Sequence, residues 1–485
     1  MYIGIDLGTS SVKTVVMDES QQVVASASAP LDVSRPQDGW SEQNPADWIT
    51  GVEKTFSELA ASHATELAAV RGIGLSGHMH GATLIDSSDQ VLRPCVLWND
   101  TRSHEEAASL DTDKSRELCG NILFPGFTAP KLAWVAKHEP TIFEQVARVL
   151  LPKDYLRLWL TGEHVSEMSD AAGTGWLDVA RRDWSDELLA ACNMDKSQMP
   201  ALVEGSSISG TLRTDIASRY GMSPNVVVAG GAGDNAASAC GMGVVAPGSA
   251  FVSLGTSGVL FASNQSYRPN AGSAVHTFCH AIPDTWHQMA VMLAATDSLN
   301  WLSSVTGKSA AELTSTLEGS AYTPTDILFL PYLGGERTPH NDAEARGVFV
   351  GLSHNSDVEE LTTAVLQGVC FAFRDGLAAL ASSGTNIDSA FAIGGGSRSD
   401  YWISMMATVL NIPLHKTVDG DFGASLGAAR LGLMAAENSD PLSVCTAPPV
   451  DATIDPLTDH LSELEQHYER FRSAYTSLRP VFAGR

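Results

Sequence analysis

The sequence predicts an α/β fold built as two similar domains. Three observations predict it. The chain has 485 residues, 44% hydrophobic and 18% charged, which is enough apolar material for two cores. Helix-like and strand-like patterns alternate along it. One short core, Leu-Gly-Thr-Ser-x-Val, occurs at Leu7 to Val12 and again at Leu254 to Val259.

The elements follow in order. Tyr2 to Asp18 reads as two β-rich runs joined by a Gly/Thr/Ser turn, which is a hairpin. Ala250 to Phe261 reads as the same hairpin again, so each half of the chain opens with one copy. A repeat this distant is no solenoid period. It divides the chain near residue 245, into 1–245 and 246–485. Helices are expected at Pro45 to Ser62, Pro130 to Lys137 and Val358 to Ala381, and strands at Asn225 to Ala229 and Ala390 to Ile393. The small residues of Asp421 to Ala429 predict a helix start made for close packing. Leu457 to Leu478 reads as a terminal surface helix.

A formal charge of -26 argues against nucleic acid and against anionic membrane as main partners. It leaves room for an anionic nucleotide, because local N–H groups and Mg²⁺ override the global field. Seven scattered cysteines without a C-x-x-C pair read as reduced thiols of a cytoplasmic protein. Asp6 in the first apolar run, with no basic segment before it, is unlike a signal peptide. No stretch is expected to span a membrane.

Two familiar nucleotide motifs fail. Gly307-Lys308-Ser309 ends like a P-loop, but Leu302 stands where its first glycine belongs. Gly231 to Ala236 fits G-x-G-x-x-A, but no Asp or Glu follows before Asp284, so the ribose-binding acid is missing. The paired hairpins offer another solution. Their turns, Thr9 and Ser10 in one and Gly255, Thr256 and Ser257 in the other, present N–H and hydroxyl donors that together clamp a triphosphate. Asp6 in the first copy is Ser253 in the second. A strand carboxylate between Ile5 and Leu7 wants a cation, and one acid suits Mg²⁺. Lys13 either steadies phosphate or is solvated. Gly394, Gly395, Gly396 and Ser397 follow an apolar run and allow a flat ligand such as adenine or ribose to approach. Asp234 follows a strand and a glycine turn at a helix start. It is either a general base, ionised with help from the helix N-terminus, or an N-cap. His276 and His280, with Phe278 between them, alternate like a strand and lack a third ligand, so zinc is rejected.

At this point the residues resemble a known family, the FGGY carbohydrate kinases. Gly126-x-Thr128-x-x-Lys131-Leu132-x-Trp134-Val135-x-Lys137-His138 matches its first signature. Gly347-x-Phe349-x-Gly351-Leu352, followed by Glu360-Leu361-x-x-Ala364-Val365-Leu366-Gln367, matches the second. The resemblance runs from Tyr2 to about Gly432. Ser76 to Gly81, Leu97 to Asp100, Leu151 to Leu158 and Met168 to Thr174 resemble its ketopentose-phosphorylating branch. The resemblance implies two ribonuclease-H-like domains of the actin, Hsp70 and hexokinase ATPase type, with ATP in the cleft between them. Residues 1–245 then form the sugar-binding and catalytic domain, and 246–485 the nucleotide-binding domain. It makes Asp234 the proton acceptor and Asn235 a partner of sugar hydroxyls. Met79 and His80 match the sugar motif, and Trp98, Asn99, Asp100 and Arg102 line or brace the same pocket. His78 stands where the branch has Gln, a departure that bears on which sugar fits. The expected reaction is ATP-dependent phosphorylation of D-xylulose at its terminal hydroxyl. Another ketopentose or polyol kinase stays open, as does a non-catalytic actin-like switch, and a homodimer stays open as the assembly.

Overall fold

The computed structural model describes residues 1–319, 322–418 and 423–483. Two sheets organise the chain. In the first, β1 (Tyr2–Leu7) pairs antiparallel with β2 (Ser11–Met17) and parallel with β4 (Gly72–Gly77). β3 (Val23–Pro30) extends it beside β2, while β6 (Val227–Ala229) and then β5 (Ile208–Thr211) extend it beyond β4. In the second, β7 (Ala250–Leu254) pairs antiparallel with β8 (Gly258–Asn264) and parallel with β11 (Ala390–Ile393). β10 (Trp286–Met292) and β9 (His276–Cys279) lie outside β8. β12 (Leu414–Thr417) and β13 (Val450–Ile454) lie outside β11.

The two sheets repeat one plan. Each has a central strand with an antiparallel hairpin mate on one side and a parallel crossover strand on the other. Each then adds a second parallel strand and an antiparallel edge strand. The repeated motif sits at the equivalent hairpin turn in both. In the first copy Gly8 donates to Ser11 across that turn, at 3.0 Å.

Helices cover the sheets where the apolar spacing predicts them. α1 (Pro45–Ser62) begins as expected, with the Asn44 side chain accepting from Ala46 N and Pro at the first position. It buries Trp48, Val52, Phe56 and Leu59 at the spacing of one helical face. α2 (Thr128–His138) and α3 (Pro152–Thr161) belong to the long excursion between β4 and β5. α6 (Val358–Ser382) is long and apolar enough to cross a membrane, where the sequence reading found no stretch that approached that length. Most of it is buried inside the second half against β10 and α7 (Asp400–Leu410), as a core helix. The C-terminal α9 (Leu461–Phe482) buries Leu464, Tyr468 and Phe471 in the same core.

α8 (Ala424–Glu437) departs from the expected division. It comes late in the chain, yet it packs on β1, β4 and α4 (Asp234–Gly241) of the first half. The approach is backbone to backbone. A Cβ on Gly74 would overlap the Ala428 carbonyl oxygen, and one on Gly427 would overlap that of Ala237. The small residues expected at this helix start serve this close packing. Asp421 and Phe422, named with them, lie outside the described residues.

Candidate functional site

Asp234 is the first residue of α4, with Gly233 as its N-cap. The N-cap alternative therefore falls, since Asp234 already lies in the first turn. A glycine pair after β6 makes the approach. Gly231 has φ +78°, and a Cβ there would meet the Leu75 carbonyl oxygen. Both ends of α4 are held. Gly233 N donates to Ser169 Oγ at 3.1 Å. At the other end Arg430 Nη1, from α8, donates to the carbonyls of Cys240 at 2.8 Å and Gly241 at 3.0 Å.

Asn235 donates to Asp234 Oδ1 twice, from its backbone N at 2.7 Å and from Nδ2 at 2.9 Å. Burial pushes the Asp234 carboxyl up to about 6, and nearby Asp6 adds to the rise against the Asn235 bonds. The sequence reading had this carboxylate ionised with help from the helix terminus. Burial wins, and the carboxylate is still mostly ionised at neutral pH.

Asp6 lies directly opposite Lys13 on β2 and beside Ser76 on β4. Burial raises its carboxyl, opposed by the Ser76 hydroxyl and the Lys13 ammonium. Among the described residues no group of three or more His, Cys, Asp or Glu side chains is arranged to hold a metal ion. A hard-oxygen site of one or two carboxylates completed by phosphate and water is the kind Mg²⁺ takes, and Asp6 fits it.

A fully buried charge cluster lies under the Asp234 loop. Lys153 Nζ stands 2.8 Å from Asp154, 3.0 Å from Asp170 and 3.3 Å from Glu167. Arg157 Nη1 pairs with Asp154 at 2.6 Å, and its Nη2 donates to the Gly230 carbonyl. Ser169 Oγ donates to Glu167 Oε1 at 3.0 Å and so links the cluster to Gly233. Burial, with help from Asp154 and Glu167 and against Lys153, raises the Asp170 carboxyl to about 8. Two cations interleaved with three carboxyl groups at hydrogen-bond distance are how five such groups are tolerated inside.

The expected sugar residues gather beyond Asp234. Met79 is buried against Gly233 and Gly173. His80 adopts φ +69° and its Nδ1 bonds the Gly173 carbonyl at 2.6 Å. Because a carbonyl only accepts, Nδ1 carries the proton and Nε2 presents a lone pair. Burial lowers the His80 pKa to about 3, so the ring is neutral. Its ring stacks on Phe127 at 4.6 Å. Lys131, also buried, donates to the carbonyls of His80 and Gly126, both at 2.7 Å. Trp98 is exposed, and its Nε1 donates to Thr9 Oγ1 at 3.1 Å, tying this loop to the first hairpin turn.

Two expectations change here. Asp100 was placed among the sugar-binding residues. Its carboxylate is instead consumed by Arg102 (2.7 and 2.9 Å) and by Ser41 N (2.6 Å), 1% exposed. It braces the loop and does not line the pocket. His78 was expected to bear on sugar choice. It is 3% exposed and lies edge-on to Trp48 at 5.8 Å, within the core of the first half. Of the rejected zinc pair, His276 bonds Arg337 and His280 bonds the Val244 carbonyl.

On the second half, Gly255 and Thr256 accept from Thr296 N and Ala295 N, at 2.9 and 2.8 Å. Helix α5 (Thr296–Thr306) thereby supports the second hairpin turn. Gly394, at φ +89°, lies where a Cβ would meet the Leu254 carbonyl oxygen and Gly255 N. A groove of about 550 Å³ opens beside it, lined by Gly395, Gly396, Thr296, Asn300 and Trp402. Ser397 turns its hydroxyl back to the Gly394 carbonyl.

Sequence reading gave no role to Ser169, Lys153 and Arg157 under the Asp234 loop, to Lys131 beneath His80, or to Arg337, although all but Arg337 lay within quoted segments. The signal available was charge inside apolar runs, as in Leu151-Pro152-Lys153-Asp154, where an unpaired ion is too costly to bury.

Comparison with known proteins agrees with this geometry. The N-terminal domain model of the FGGY family of carbohydrate kinases matches residues 1–241, and the C-terminal domain model matches 250–436. The chain belongs to the FGGY family of carbohydrate kinases. It is 47% identical over 487 residues to the xylulose kinase of Escherichia coli K12, covering 100% of both. It is 32% identical to that of Bacillus subtilis, over 99% of this chain and 97% of the other. The crystal structure of a "xyloylose kinase" from Brucella ovis superposes with TM-score 0.98 at 56% identity over 99% of each chain. The xylulose kinase of Rhodospirillum rubrum superposes with TM-score 0.93 at 28% identity, again over 99% of each.

Proposed function

We propose that this chain transfers the γ-phosphoryl group of ATP to the terminal C5 hydroxyl of D-xylulose, giving D-xylulose 5-phosphate and ADP. The observation that carries the reading is Asp234. It is a partly buried carboxylate opening a helix held at both ends, beside Asp6, in a chain matched along its whole length by xylulose kinases.

In this reading the hydroxyl proton passes to Asp234 as the oxygen bonds the γ-phosphorus and the bond to the β-phosphate oxygen breaks. Asn235 occupies Oδ1, so Oδ2 receives the proton. A carboxyl near 6 suits a base working at neutral pH. His80 accepts a sugar hydroxyl at Nε2, and Met79 supplies apolar wall. Thr9, Ser10 and Lys13 from one half, and Gly255, Thr256 and Ser257 from the other, hold the phosphates. Adenine and ribose lie along Gly394 to Gly396. Asp6 would hold Mg²⁺, which when bound neutralises phosphate charge. Residues 1–245 thus act on the sugar and 246–485 on the nucleotide, except that α8 returns to the first sheet. Seven buried, unpaired cysteines suit a cytoplasmic setting.

ADP release measured over a panel of ketopentoses and polyols tests this. D-xylulose should give the highest kcat/KM, with ³¹P NMR placing phosphate on C5. Absence of sugar-stimulated ADP release across the panel overturns the proposal.

A further inference from the structure

Arg337 comes from the second half of the chain but stands among side chains of the sugar side. Its guanidinium lies 4.1 Å over the ring of Phe124, and its Nη1 donates to His276 Nε2 at 3.3 Å. From His276 a stack of rings leads to the proposed sugar site. His276 faces Phe127 at 5.9 Å, and Phe127 faces His80 at 4.6 Å. His80 and Arg337 are close enough for the arginine's charge to act on the histidine.

This cation is poorly compensated. A guanidinium carries five N–H donors, and among the described residues only the bond to the His276 ring engages one. That ring is itself 5% exposed, with a buried Nδ1 that has no partner. The adjacent carboxylate gives little help. Glu336 Oε1 accepts from Leu293 N and Arg337 N at 2.9 and 2.8 Å, Oε2 is buried without a partner, and burial raises this carboxyl to about 8. A partly buried arginine with spare donors and a neutralised neighbour is set up for an acceptor that arrives with a ligand.

Position decides which part of the ligand. Among the described residues Arg337 contacts Phe124 and His276, in the ring stack that ends at His80, and no hydrogen bond or ion pair joins it to Asp234, Asn235 or Asp6. The arginine therefore lies toward the end of the acceptor remote from the hydroxyl that Asp234 deprotonates. In a 2-ketose phosphorylated at its last carbon, that remote end carries the carbonyl, an oxygen that only accepts.

We infer that Arg337 is a specificity-determining residue that donates to the keto end of the acceptor sugar, so that the second half of the chain reads the ketose held by the first. The inference rests on the proposed sugar site at His80 and Asp234. His276 positions the guanidinium, accepting at Nε2 while Phe127 holds its ring.

The test compares D-xylulose with xylitol, in which the carbonyl is replaced by a hydroxyl. In Arg337→Ala, KM for D-xylulose should rise about 10- to 100-fold, the loss expected when one hydrogen bond from a charged donor is removed. KM for ATP should stay within about threefold, and the preference for D-xylulose over xylitol should shrink by a similar factor. Arg337→Lys keeps the cation but not the fork, and should recover part of that preference. His276→Phe keeps the stack and removes the acceptor. It should show the same selective loss at smaller size, and it serves if the arginine variants do not fold. An unchanged ketose preference in these variants, or a rise in KM for ATP in place of that for sugar, overturns the inference. A wild-type enzyme inactive on every ketose would instead defeat the proposed function. Asp234→Asn, inactive in an otherwise normal background, separates the two outcomes.

Discussion

The main-chain N–H of Gly233 donates to the hydroxyl of Ser169 at 3.1 Å, and through it the residue before Asp234 is tied to buried Glu167. Ser169→Ala leaves that N–H and one carboxylate bond unmet, at a cost of about 1–3 kcal/mol. The expected kinetic signature is a fall in kcat of about tenfold with KM for ATP unchanged, because a small misplacement of the base slows the chemical step. Ser169→Thr keeps the oxygen and should restore kcat. A drop in melting temperature with kcat intact would mean that the serine only holds the fold.

Asp234→Asn separates function from stability. Loss of the base should lower kcat by about 10² to 10⁴ while ATP still binds. The stability effect should have the opposite sign. The folded carboxyl, near 6, lies above its ordinary value. Its favourable contribution is therefore present below the unfolded pKa and is lost as pH rises through about 6. At pH 8 the wild type carries an unfavourable buried charge beside Asp6, which the amide removes. Calorimetry at pH 8 should find the variant no less stable than wild type. A lower melting temperature there contradicts this electrostatic account.

The parts of this site legible in the sequence were those fixed by local chain chemistry. The hairpins at Leu7 and Leu254, the glycines before Asp234 and the Gly394 turn each need particular residues at particular spacings. The surroundings of Asp100 and His78 were not legible because sequence neighbourhood does not say which way a side chain points. Arg102 takes up the first and the Trp48 core takes in the second. Arg337 and α8 were illegible for a different reason. Both act across the two halves, and no spacing rule records a contact between residues hundreds of positions apart. The small residues at the start of α8 were legible but its partner was not, although Gly4, Gly72 and Gly74 leave room for a helix backbone.

Asp6→Asn should move the acid limb of the pH profile. Asp6 raises the Asp234 carboxyl, so removing its charge lets that pKa fall. In kcat/KM for the sugar, measured at low fixed Mg-ATP, the acid limb should shift to lower pH, and the Mg²⁺ concentration for half-maximal rate should rise. An unmoved limb with an unchanged Mg²⁺ requirement removes Asp6 from the site.

Gly74→Ala should loosen the contact between α8 and the first sheet. The added methyl would overlap the Ala428 carbonyl, which is backbone and cannot rotate away. Overpacking of this kind costs about 1–3 kcal/mol, read as a lower denaturant midpoint. An unchanged midpoint would show that the two backbones are free to separate.

The last prediction concerns motion. The residues proposed to hold the sugar lie mainly in the first half of the chain, while the Gly394 groove and Arg337 lie in the second. A ternary complex therefore joins the two halves through its ligands. α8 packs backbone to backbone on β1 and β4, so closing must leave that contact in place. Closure excludes water, which otherwise competes with the sugar for the phosphoryl group. ATP hydrolysis without sugar should be slow, and D-xylulose should accelerate ADP formation strongly. Small-angle scattering should show a smaller radius of gyration with sugar and a non-hydrolysable ATP analogue together than with either alone. Arg337→Ala, having lost its hold on the sugar, should need more sugar to reach the compact form. Equal radii in all ligand states, with ATP turned over as fast in the absence of sugar, would mean that the halves do not close and that water exclusion is built into a rigid cleft.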